Sequence, residues 1–139
     1  MGQTKAVPIS MLFADKIFRE EGTKKVHIAG VFWAILASRF PICLNFGVYQ
    51  VFTDMMGQAN QTGLMDISYL DGNQEKIAKI SSQVTINPDR LGYTELIFNF
   101  SNLPIIRPGV LKLSFELNGQ EINSRTLKVE QIKTDETRG

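Results

Sequence analysis

The clearest pattern in the chain is apolar and polar alternation with a period of two. In VLKLSFELNG (110–119), Leu111, Leu113, Phe115 and Leu117 fall on one side and Lys112, Ser114 and Glu116 on the other. That pattern predicts a strand with one face in a core and one in water. Asn118-Gly119 then supplies the residue types of a type I′ hairpin turn, and INSRTLKVEQI returns with Leu127 and Val129 inward. Upstream, GYTELIFNF sets Leu96, Phe98 and Phe100 on one face, and the loop SNLPIIRPG is expected to stop that strand through Pro104 and Pro108-Gly109.

Earlier, GLMDISYL places Met65, Ile67 and Tyr69 on one face. It is expected to turn at Asp71-Gly72-Asn73 into EKIAKISSQVTI, where Ala78, Ile80, Val84 and Ile86 alternate until Asn87-Pro88-Asp89. Near the start, ISMLFADKIFREE and KKVHIAGVFWAIL flank Gly22-Thr23, and ICLNFGVYQVF follows Pro41. No segment sustains a 3.6-residue apolar period. About eight strands with turn chemistry between them predict an all-β fold, a single antiparallel β-sandwich of immunoglobulin-like or C2-like outline. The sandwich is expected over 9–132, with a flexible N-terminus at 1–8, a mobile loop at MMGQANQTG (55–63) and a disordered tail at 133–139.

One segment departs from simple alternation. In VFWAILASRF (31–40) nearly every position is apolar. A membrane span fails on length, because the run from Ile28 to Ala37 would be about 15 Å of helix against roughly 30 Å of hydrocarbon. As one strand, Phe32, Ala34 and Leu36 would face the opposite sheet, and Val31, Trp33 and Ile35 would form a second apolar face. A sandwich strand ordinarily shows that second face to water, so it needs a cover. The cover is either the chain's own 102–108 or 56–63 segment, or another molecule. Val31, Trp33 and Ile35 are therefore the candidate partner-binding residues, and Gly30 would permit a bulge beside them.

Composition narrows the function classes. The 139 residues are 43% hydrophobic and 21% charged, with a net charge of +1. That describes an ordinary soluble domain with no broad field to attract nucleic acid or anionic lipid. No secretory signal opens the chain, so the cytoplasm is the default location. Cys43, the single cysteine, stands between Ile42 and Leu44 and is expected to be an inert core thiol.

Two blocks carry a family resemblance. LFADKIFREEGTKKVHIAGVF (12–32) runs a strand bearing Asp15 through Glu21-Gly22 into a strand ending Gly30-Val31-Phe32, and RPGVLKLSFELNGQEINSRTLKV (107–129) is a Pro-Gly entry followed by a hairpin. Their order resembles a family of small, largely uncharacterised bacterial proteins with a sandwich fold. The resemblance implies the fold and brings no catalytic residues. Trp33 departs from it, standing where that pattern commonly has a polar residue.

The search for chemistry finds scattered groups. His27 is the single histidine and, with Cys43 alone, completes no metal set, so a structural or surface role is expected. Asp15, between Phe13 and Ile17, is expected to pair with a cation if its strand is covered on both sides. Asp54, Asp71 and Asp89 stand singly in loops and make no calcium site. Tyr49, Tyr69 and Tyr93 read as strand residues with a wet hydroxyl. No phosphate loop or nucleophile elbow is present. The expectation is a non-catalytic protein-binding or self-assembly module, with no metal or cofactor. The alternatives are a small-ligand protein or enzyme whose inter-sheet pocket is lined by Asp15, His27 or Tyr49, and a structural component of a phage particle or secretion assembly.

Overall fold

The computed structural model describes residues 8–53, 60–70, 76–85 and 93–133. Within them lie nine strands: β1 (Pro8–Arg19), β2 (Val26–Val31), β3 (Ala34–Ala37), β4 (Ile42–Thr53), β5 (Asn60–Tyr69), β6 (Lys76–Thr85), β7 (Tyr93–Ile105), β8 (Gly109–Leu117) and β9 (Gln120–Gln131). They form two sheets, a four-stranded one in the order β2-β1-β4-β7 and a five-stranded one in the order β3-β9-β8-β5-β6. Every pairing is antiparallel except β3 with β9. The neighbours β4-β7 and β9-β8-β5-β6 stand as strands B-E and G-F-C-C′ do in the immunoglobulin arrangement. β1 lies beside β4 as strand A lies beside B, and β2 is added outside it.

The alternating residues fill the space between the sheets. Leu111, Leu113, Phe115 and Leu117 of β8, Met65, Ile67 and Tyr69 of β5, and Leu127 and Val129 of β9 are buried against Phe46, Val48 and Phe52 of β4 and Phe98 and Phe100 of β7. Asn118 and Gly119 have φ of 53° and 82°, as a type I′ turn requires. The Asn118 side chain carries the turn further, because its Oδ1 accepts from Thr62 N at 3.0 Å and so ties the β8–β9 hairpin to β5.

Several expectations are corrected. Asn60 to Gly63 belong to β5 and are not loop. Pro104 does not stop β7, which runs to Ile105 with Pro104 opposite Cys43. β7 is an edge strand, where a residue without an N–H can sit without breaking a ladder. Cys43 is exposed and not a core thiol. Ile42 and Leu44 pack toward the core, and alternation sends the residue between them to the outer face. The expected turns at 71–73 and 87–89, Ile86, Asp54 and the tail beyond 133 lie outside the described residues.

The ninth strand comes from VFWAILASRF itself. Phe32 N donates to Phe13 O at 3.1 Å, a bond still made to β1. Ala34 already pairs with Lys128 of β9 in the other sheet. The chain has changed sheets across Phe32-Trp33, and with it the phase of the side chains. Phe32 packs on the core and the next inward residue is Ile35, three positions on. Leu36, expected inside, is 58% exposed, and Ile35, expected outside, is 9% exposed.

Candidate interaction site at the sheet crossover

The crossover lies at the open margin of the sandwich, where β1 and β2 of one sheet pass β3 and β9 of the other. Trp33 stands at its apex, 58% exposed. The Arg125 guanidinium lies over its ring, 4.9 Å from the centroid, while Arg125 Nη1 donates to Met11 O at 3.0 Å. Trp33 is thus held by a cation–π contact from a residue that is itself anchored to β1. Val31, 44% exposed, and Leu36 flank it in sequence. Of the expected internal covers, 102–108 and the described part of the other, 60–63, leave this surface open, and residues 56–59 lie outside the described residues.

Behind the crossover a groove of about 230 Å³ opens between the sheets. Phe32, Ile35, Leu44 and Phe46 give it apolar walls, and Asp15 and Asn45 give it polar edges. Phe32 and Phe46 meet edge to face at 5.7 Å, which fixes one wall. Asn45 sits at a register shift between β4 and β7, and its Oδ1 accepts from Asn102 N at 2.8 Å. Gly30 adjoins Asp15 with φ of +77°, and a Cβ on it would lie 2.5 Å from Asp15 Oδ2. Only glycine suits both the backbone and the space there.

The profile of a family of unknown function, DUF6941, matches residues 9–130. The chain belongs to the DUF6941 family. No curated protein matches it. Among solved structures it is similar to the alkylpurine DNA glycosylase AlkC of Pseudomonas fluorescens bound to DNA containing an abasic site analog, with 8% identity and a TM-score of 0.49, over 91% of this chain and 31% of that one. An immunoglobulin-like protein from Pseudomonas aeruginosa matches with 10% identity and a TM-score of 0.45, over 94% of this chain and 100% of that one. A β-glucosidase from Listeria innocua in complex with isofagomine matches with 5% identity and a TM-score of 0.47, over 95% of this chain and 17% of that one. The DUF6941 chain spans about a third of the glycosylase and less of the glucosidase.

The polar residues singled out in the DUF6941 sequence lie apart. Asp15 lines the groove, exposed, and forms no ion pair or side-chain hydrogen bond among the described residues, so the expected structural pair is absent there. His27 is a surface residue at the far end of the β1–β2 hairpin. Its ring stacks on Phe18 at 4.9 Å, and its Nε2 lies 2.6 Å from Glu20 Oε1. Hydrogen bonds from Thr23 and then His27 hold the Glu20 carboxyl below the usual range. Tyr49 lies elsewhere on the four-stranded sheet. Its hydroxyl donates to Glu95 Oε2, and Arg19 Nη1 donates to Glu95 Oε1 at 3.1 Å. Burial first, then the Glu95 hydrogen bond, pushes the Tyr49 phenol up to about 12. Among the described residues no cluster of metal-ligating side chains forms, and no helix is long and apolar enough to cross a membrane.

Sequence reading missed Leu36 and Arg125. Arg125 did leave a signal: it shares the parity of Leu127 and Val129, so a charged residue occupies a position that alternation reserves for the core. Asn123 shares that parity as well. Together they mark the half of β9 that runs along the open margin beside β1.

Proposed function

We propose that this DUF6941 protein is a non-catalytic, cytoplasmic interaction module that docks a protein partner, or a further copy of itself, on the β2–β3 crossover. The observation that carries the reading is the exposure of Trp33 with the Arg125 guanidinium set against its ring. An aromatic side chain that is presented to solvent and partly ordered by a neighbour loses less freedom on binding than a free one, and large aromatics are common interface anchors. Val31 and Leu36 extend the apolar surface on either side of it. Ile35, first counted with them, serves the core and supports the strand from beneath. Shape and apolar contact are the mechanism, and the same surface would serve a subunit of a larger particle.

Support for a ligand-binding protein or enzyme is weaker. Of Asp15, His27 and Tyr49, Asp15 alone lines the groove. Its volume also falls below the roughly 300–1,000 Å³ of pockets that enclose small-molecule ligands.

The test compares wild type with Trp33→Asp. Because Trp33 is the single tryptophan, its fluorescence reports the surface directly. Wild type is expected to co-purify with a partner or to self-associate, with a blue shift of emission on association. Trp33→Asp should keep its unfolding midpoint and lose the association. If the wild type stays monomeric and both chains capture the same proteins from the native cell, the reading fails. The size of the species in native lysate separates a free module from a particle subunit.

A further inference from the structure

We infer that the groove behind Trp33 receives a basic side chain of the docking partner, an arginine in preference to a lysine. This rests on the proposed docking surface and specifies the chemistry of what docks there. The groove offers two things that no single neutral or anionic group satisfies together. Its walls are apolar, from Phe32, Ile35, Leu44 and Phe46, and its rim carries the Asp15 carboxylate, which has no countercharge among the described residues.

The occupant that fits both is a cation on an aliphatic stem. The methylenes would lie along the walls while the charged head meets the carboxylate. Arginine is favoured because a planar guanidinium pairs with a carboxylate through two bonds and stacks on phenyl faces, whereas a lysine ammonium is a more strongly hydrated point charge. Size agrees, since a groove of about 230 Å³ has room for one long side chain and little more. Gly30 keeps the place open: any side chain there would strike Asp15 Oδ2 at 2.5 Å and displace the carboxylate from the rim. Gly30 thus keeps the carboxylate, unpaired among the described residues, at the rim of the groove. Trp33 would then anchor the apolar part of the partner and Asp15 would select its charged residue.

The experiment uses the full chain, labelled with ¹⁵N, and two capped amino acids as probes. N-acetyl-arginine-N-methylamide is expected to shift the amide signals of Asp15, Gly30, Asn45 and Phe46 saturably in low salt. N-acetyl-norleucine-N-methylamide should bind there more weakly. Asp15→Asn, an isosteric change at an exposed position, should weaken the arginine probe by about five-fold, the scale of a partly exposed ion pair, and leave the norleucine probe unchanged. Ala34 also lines the groove, and Ala34→Leu, which fills it, should abolish the shifts from both. The inference is overturned by an arginine probe that produces no localised shifts in wild type, or by shifts that survive Asp15→Asn undiminished or persist in Ala34→Leu. The association test on Trp33→Asp reads a different residue and a different quantity, so a failure of the arginine site is distinguishable from a failure of the docking surface.

Discussion

At the scale of single residues, the chain separates charges that a linear reading could have grouped into one site. Tyr49, Glu95 and Arg19 form a small network in which the phenol donates to a carboxylate that also takes Arg19. The phenol's ionisation is raised from 10.0 to about 12, so its protonated form is favoured in the folded state. Its contribution to stability is therefore fully present below about pH 10 and is lost as the pH rises toward 12. Titration by absorbance at 295 nm should show a tyrosine ionising near pH 12 that is absent in Tyr49→Phe. The loss of stability between pH 10 and 12 in urea melts should be smaller in that variant than in wild type. None of this was legible in sequence, because Tyr49 and Glu95 come together only through the pairing of β4 with β7.

At the scale of the element, the crossover is the decisive feature. An uninterrupted strand through 31–37 puts Leu36 in the core and Ile35 outside, and the change of sheet at Phe32-Trp33 reverses that assignment. The two residues are neighbours of similar size, so substitution separates the arrangements cleanly. Ile35→Ala should destabilise the fold by about 2–4 kcal/mol, as expected for truncating a core aliphatic. Leu36→Ala should change stability by less than about 0.5 kcal/mol. Chemical denaturation of the two variants measures both, and equal effects would contradict the phase shift. Period-two reading worked for β5, β8 and β9 because each keeps one sheet on one side throughout. It failed at 31–37 because the alternation restarts when a strand leaves one sheet for the other, and with both sides apolar the restart leaves no mark in the hydropathy.

At the scale of the whole molecule, the two sheets meet through a core rich in aromatic residues, and polar contacts cross between them along β9. Gln50, fully buried on β4, donates from Nε2 to Asn123 Oδ1 of β9 at 2.9 Å, while its Oε1 finds no donor among the described residues. A buried amide half satisfied in this way costs about as much as it contributes. Gln50→Met, close in shape and without the unpaired oxygen, should therefore be neutral or stabilising by up to about 1 kcal/mol in thermal or urea unfolding. A loss of more than that would show that the cross-sheet bond, and not apolar packing, holds this margin closed. The same margin carries Arg125 and Trp33, so the proposed docking surface is built where core packing gives way to polar contacts between sheets.

The sequence by itself determined that the chain is a β-sandwich and which residues of its central strands face inward, because alternation and the Asn118-Gly119 turn are local and need no knowledge of a partner strand. It also singled out Trp33 as a residue in search of a cover. Which sheet each half of VFWAILASRF joins, and hence that Ile35 is core while Leu36 is surface, was decided by pairing with β1 on one side and β9 on the other. So was the placing of Asp15 on the rim of an apolar groove beside Gly30, since it depends on residues far apart in the chain. Hydropathy records what a side chain prefers, and only the paired sheets fix what stands across from it.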